Sequence, residues 1–206
     1  MIRTGMYAGS GHGVPTVRIG VLSDTHAYLD PVILAVFAGV THIIHAGDIM
    51  DPAIVTRLGS VAPVTAVAGN RDAGPLAEVL PEKVVGTTAG VRFVVAHKPV
   101  QALERLALGD VPPPSAAGPL LVVWGHLHSP SAAWIDGTLY LNPGTASSPD
   151  EEDDDPTVAI VELVANRLAV TFIPLERRMS RSRRTNTKVT PARAAVPRKV
   201  LESASR

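Results

Sequence analysis

Cysteine is missing from all 206 residues. Its absence excludes disulfides, thiolate zinc sites and cysteine nucleophiles, and leaves His, Asp, Glu and Asn to carry any chemistry. Long apolar runs are missing too. A membrane span needs about 18 apolar residues, whereas the longest candidate, Val32 to Val40, is half that length and reads as a buried helix. The first 16 residues hold no continuous apolar stretch. No secretory signal is therefore expected, and a cytoplasmic location is the default. The aromatic share is only 4%, against 46% for hydrophobic residues as a whole, led by Ala and Val. A chain of this length forms one domain of ordinary size and buries about 70% of the surface its unfolded form exposes.

Net charge is zero, but its distribution is uneven. Residues 1–175 hold 9 Lys/Arg against 17 Asp/Glu, and residues 176–206 hold 10 against 2. An acidic body therefore carries a basic tail. The tail lacks apolar periodicity and is expected to be disordered. It contains no aromatic residue, which argues against specific single-strand recognition. Nucleic acid, anionic lipid or an acidic partner remain open to it through charge alone. The run Glu151–Asp155 (EEDDD) reads as a solvated loop, or as an intramolecular clamp for that tail. Residues 1–16 form a flexible leader. Its Gly9, Gly11 and Gly13 precede the first strand, whereas phosphate-cradling glycines follow a strand and open a helix.

Between these ends the chain alternates. Val17–Ser23 is a short apolar strand. Asp30-Pro31 caps a helix predicted to reach Gly39, and His42–Ala46 is the second strand. Asp51-Pro52 opens another helix to about Leu58, and Pro63–Ala68 is the third strand. This order implies parallel strands with right-handed crossovers. The second half reads as a hairpin (Lys83–Thr88 with Val91–Ala96), a helix over Gln101–Leu108, a loop stiffened by Pro112 to Pro114, and a strand over Pro119–Trp124. A hairpin about Asp136-Gly137 (Ala132–Ile135, Thr138–Asn142) and a last one about Asn166 (Val158–Leu163, Leu168–Ile173) complete it. The expected fold is α/β: two sheets packed face to face with helices outside.

The strand ends carry the chemistry. In order they run into Asp24-Thr25-His26, Gly47-Asp48, Gly69-Asn70-Arg71-Asp72, His97 and Gly125-His126-Leu127-His128. Ligand sites of open α/β sheets lie beyond the carboxyl ends of strands, so the five clusters can converge. Imidazole and carboxylate without thiolate suit Mn²⁺, Fe²⁺, Zn²⁺ or Mg²⁺. Seven donors (Asp24, His26, Asp48, Asn70, His97, His126 and His128) exceed one ion's needs and fit two ions sharing a carboxylate, the usual device for in-line displacement at phosphorus. Beside them, His45 reads as a satisfied core histidine or a partner to a ligand, and Asp72 as an orienter of a ligand or Arg71, or an ordinary loop carboxylate. His12 and His42 are incidental, and Asp51 is a helix cap.

This ordered set resembles the signature of the calcineurin-like metallophosphoesterases. GHLHSP and NPGTASSP resemble most the small bacterial and archaeal phosphodiesterases of that superfamily, over residues 17–173. The resemblance implies an αββα sandwich and a hydrolase of small phosphodiesters with two divalent ions, Mn²⁺ first and Fe²⁺, Zn²⁺, Mg²⁺ or Ni²⁺ as alternatives. Asp24, His26 and His128 would hold one ion and Asn70, His97 and His126 the other. Asp48 would bridge them, and a shared hydroxide would attack phosphorus. Residues 142–145 would close the site edge in a structural role. Two departures stand out. Arg71 replaces the His that many members use as a proton donor. It can clamp a phosphate oxygen but not protonate a leaving group. Lys98 follows His97 where Gly is usual, and either adds charge to the site or points to solvent. A scaffold of the same fold, like the retromer subunit, and a nuclease using the basic tail are the alternatives. The hydrophobic helices also leave a homo-oligomer open.

Overall fold

The computed structural model describes residues 17–109, 111, 118–147 and 155–176. The glycine-rich leader, Pro112 to Pro114, acidic residues 151–154 and the basic tail from residue 177 lie outside the described residues.

Among the described residues, ten strands form two five-stranded mixed sheets. The first has the order β10-β9-β1-β2-β3, with β1 (Val17–Leu22), β2 (His42–His45), β3 (Val64–Ala66), β9 (Thr157–Val164) and β10 (Arg167–Pro174). Its members β1, β2 and β3 run parallel, and β9 joins β1 antiparallel. The second sheet has the order β4-β5-β6-β8-β7, with β4 (Lys83–Thr88), β5 (Val91–Ala96), β6 (Leu120–Val123), β7 (Ser131–Ile135) and β8 (Thr138–Asn142). Strands β5, β6 and β8 are parallel, and β4 and β7 are antiparallel edges.

Alternation along the strands makes the layers. Ile19, Val21, Ile44 and Ala46 from the first sheet meet Phe93, Val95, Leu121, Val123, Leu139 and Leu141 from the second, all buried. Intervening residues face the helices. Leu22, Ile43 and Ile160 pack under α1 (Pro31–Val36) and α2 (Pro52–Gly59) through Ile33, Phe37, Ile54 and Leu58. Val94, Ala96, Leu120 and Val122 pack under α4 (Pro99–Ala107) through Ala102. Phe37 is fully buried because Gly20 makes room for it; a Cβ at Gly20 would lie 2.9 Å from the Phe37 ring. Burial of such a ring stabilises by about 1.5–3 kcal/mol.

The expected α/β sandwich is what forms, with shifts at element ends. Asp30 and Asp51 cap α1 and α2 by accepting hydrogen bonds from Val32 N and Ala53 N, each at 2.9 Å. Helix α1 stops at Val36 rather than Gly39, because Phe37–Gly39 tighten into a turn that closes on Gly39 at φ +78°. A one-turn helix, α3 (Pro75–Val79), stands where no element was expected. It buries no residue and has no side-chain cap, so no amphipathic period marks it. Helix α4 begins at Pro99, two residues earlier than expected. The rule that favours proline at the first helical position would have found that start. Among the described residues no helix is long and apolar enough to cross a membrane.

Candidate metal centre

Because β1, β2, β3, β5 and β6 point the same way, the segments that follow them meet at one end of the sandwich. Asp24 is fully buried there. Its Oδ1 faces His128 Nε2 at 3.3 Å and His26 Nε2 at 3.9 Å, and these two ring nitrogens are 3.2 Å apart. This buried oxygen makes no well-formed hydrogen bond, and only the two imidazole nitrogens face it. Such an oxygen is costly unless a cation satisfies it. Its other oxygen, Oδ2, is fixed by the Ser23 hydroxyl at 2.5 Å and His126 N at 3.0 Å.

The second cluster lies beside the first. His97 Nδ1 contacts Ala46 O at 2.8 Å. A carbonyl only accepts, so Nδ1 donates, and in the neutral ring Nε2 is left with its lone pair. That Nε2 faces Asn70 Oδ1 at 3.0 Å and Asp48 Oδ1 at 3.5 Å. With the ring in that neutral form, three electron pairs converge with no proton among them, an arrangement a divalent cation satisfies. The His126 ring stands edge-on to His97, with centroids 5.1 Å apart, and is exposed. Among the described residues two sets are close enough to hold an ion: Asp24, His26 and His128, and Asp24, Asp48 and His97. Asp24 belongs to both, and Asp48 to the second only. The donor chemistry fits divalent metal at both positions.

Asp24, His26, Asp48, His126 and His128 all have φ between +45° and +67°. Non-glycine residues rarely adopt this region, and strain of this kind gathers at functional sites. Hydrogen bonds hold the geometry. Thr145 Oγ1 donates to Asp24 O at 3.0 Å, Ser147 Oγ to Thr25 O at 2.8 Å, and Ala146 N to Ser23 O at 2.8 Å. Residues 142–147 therefore brace the loop after β1. Sequence reasoning does not single out Ser23 or Ser147; their only signal is that Ser23 precedes Asp24 and that Ser147 lies within NPGTASSP.

Charge near the site is also arranged. Burial pushes the Asp24 carboxyl up, but the His128 ring, the Ser23 hydroxyl and the charge of His97 outweigh it, so it titrates below its ordinary value. Burial lowers His26 and His126; the Arg71 charge adds to the first and those of His97 and Lys98 to the second. Lys98 is half-buried at the N-terminus of α4, and its charge is felt at His126. Arg71 has an exposed side chain, and its backbone N donates to Asp48 Oδ1 at 2.8 Å. His42 sits away from the ligands against Thr65 Oγ1 at 2.8 Å.

His45 lies behind the ligands, fully buried, with Nε2 3.1 Å from Thr25 Oγ1 and Nδ1 unpartnered. Burial pushes it down to about 4 from 6.5. Above about pH 6.5 both folded and unfolded rings are neutral, and stability is fully present. As pH falls towards 4 the unfolded state takes up a proton that the folded ring refuses, so stability is lost. Urea unfolding of metal-stripped protein is expected to show a loss of about 2 kcal/mol from this ring between about pH 7.5 and pH 5. His45→Leu should lose less than wild type over that interval; equal losses would assign the dependence to other groups.

A sandwich of two mixed sheets with metal-competent residues at the carboxyl ends of its strands is the arrangement expected of a metallophosphoesterase. The chain belongs to the calcineurin-like phosphoesterase superfamily, whose domain profile matches residues 17–166. A probable metallophosphoesterase of Methanocaldococcus jannaschii is 32% identical over 78% of this chain and 83% of its own length. A solved structure of a predicted phosphoesterase from Streptococcus pneumoniae is 26% identical, covering 77% of this chain and 89% of that one with a TM-score of 0.58. Two further structures share the fold: an archaeal phosphodiesterase (20% identity, 76% and 100% coverage, TM-score 0.57) and zinc-complexed Vps29 of Entamoeba histolytica (18%, 77% and 99%, TM-score 0.56).

Proposed function

We propose that this metal-dependent phosphoesterase is a phosphodiesterase that works with two divalent ions, Mn²⁺ foremost. The observation that carries the reading is the grouping of Asp24, His26 and His128 and of Asp24, Asp48 and His97, with Asn70 Oδ1 against His97 Nε2. Asp24, His26 and His128 would hold one ion, and Asn70, His97 and His126 the other, with Asp48 between them. When bound, the ions supply Lewis acidity for water and for the phosphoryl oxygens. The chain itself orients the donors: Ala46 O fixes the His97 tautomer, and Ser23 and His126 N aim the Asp24 carboxylate. Arg71 and Lys98 add positive charge on either side for the substrate's phosphate. Neither protonates a leaving group at neutral pH, so diesters with acidic leaving groups are the favoured substrates.

Chelator-stripped protein titrated with Mn²⁺ tests this against an aryl phosphodiester and the matching monoester. Saturable, Mn²⁺-dependent turnover that favours the diester is expected. Tight Mn²⁺ binding without turnover of either would overturn the enzyme reading and leave a scaffold.

A further inference from the structure

We propose that Asp72 is a positioning residue: its carboxylate joins the loops after β2 and β3 and so sets the places of Asp48 and Asn70. The proposal rests on the reading of those two residues as metal ligands.

The ladder between β2 and β3 ends at the pairing of His45 with Ala66. Both backbones then bend towards the site, and strand pairing no longer ties them. Asp72 takes over there. Its Oδ1 accepts from Ile49 N at 2.8 Å and Met50 N at 2.7 Å, and its Oδ2 accepts from Gly69 N at 2.7 Å. Hydrogen bonds to an ionised acceptor are roughly twice as strong as neutral ones. The return contact comes from the other loop, where Asp48 Oδ1 accepts from Arg71 N. Asn70 therefore sits between two residues whose backbone donors are both engaged.

Asp72 is 9% exposed, unlike a solvated loop carboxylate. Asp48 and Met50 hold φ of +54° and +62°, and the turn they make aims two successive N–H groups at one oxygen. An amide at position 72 cannot reproduce this, because its NH₂ would face a backbone donor on one of the two sides.

The test uses full-length Asp72→Asn beside wild type, Asp48→Asn and Val170→Ala, a mild destabiliser on β10. Calorimetry measures Mn²⁺ affinity of stripped protein well below each melting temperature, and kinetics on an aryl phosphodiester gives kcat and KM. Asp72→Asn is expected to bind Mn²⁺ about 10–100-fold more weakly and to lose kcat with little change in KM. Val170→Ala should lower the melting temperature alone. Unchanged Mn²⁺ affinity in Asp72→Asn, with affinity lost in Asp48→Asn, overturns the role of Asp72. Unchanged affinity in both overturns the ligand reading instead.

If Asp72→Asn does not fold, amide exchange on the wild type decides, followed by NMR with Zn²⁺ as a diamagnetic ion. The Ile49, Met50 and Gly69 amides should exchange slowly, and more slowly with Zn²⁺, because coupling between ligand placement and metal binding is reciprocal. Exchange at these three amides that is indifferent to Zn²⁺ would overturn the proposal.

Discussion

Asp48→Asn is expected to lower kcat/KM on an aryl phosphodiester by at least ~10³-fold, the equivalent of about 4 kcal/mol. The substitution changes little else. Asp48 is 2% exposed, and an amide of the same shape can keep its oxygen on Arg71 N. What disappears is one negative charge beside His97 Nε2 and Asn70 Oδ1. Mn²⁺ affinity should fall with activity, while the melting temperature of metal-stripped protein stays near that of wild type. Turnover within ten-fold of wild type would remove Asp48 from the ligand set.

Gly69→Ala is expected to have the next largest effect. Gly69 carries no positive φ, so the argument is steric. A Cβ there would overlap both the Oδ1 and the backbone N of Asp48. Either the loop after β3 backs away, losing the Gly69 N bond to Asp72, or Asp48 moves. Overpacking of this kind costs about 1–3 kcal/mol, and a ligand misplaced by about 1 Å costs on the order of 100-fold in rate. The same change at Gly59, at the end of α2, meets nothing within 4 Å. It should be neutral, or stabilise by up to about 1 kcal/mol through the unfolded state. Melting temperatures and kcat/KM of the two variants make the comparison. Gly69→Ala behaving like Gly59→Ala would show that this loop yields freely.

Strand placement was legible because it is local. Apolar runs mark the strands, and polar clusters follow each of them. Asp30-Pro31 and Asp51-Pro52 announced their helices through cap chemistry that needs no tertiary contact. Helix α3 was not legible, since its five residues bury nothing and carry no period. Asp72 was read with its ambiguity intact, as orienter or as ordinary carboxylate. Its three backbone donors come from positions 49, 50 and 69, and no spacing rule places them around one carboxylate. His45 divides the same way. Its burial followed from its place in an apolar strand, but its contact with Thr25 depends on how the loop after β1 folds back. That Asp24 belongs to both ligand groups is likewise a tertiary fact.

The strand order carries a consequence for synthesis. Strand β1 lies between β2 and β9, so one of its long sides is completed within the first strands and the other waits for nearly the whole domain. The antiparallel partner ends at Val164. At ribosomal rates of ~5–20 residues per second, an emerging β1 leaves its open side unpaired for roughly 7–30 s. Through that interval the nascent chain presents a bare, apolar edge of the kind other chains can pair with. Translation speed and nascent-chain chaperones therefore bear on the yield of this protein through the topology of its first sheet.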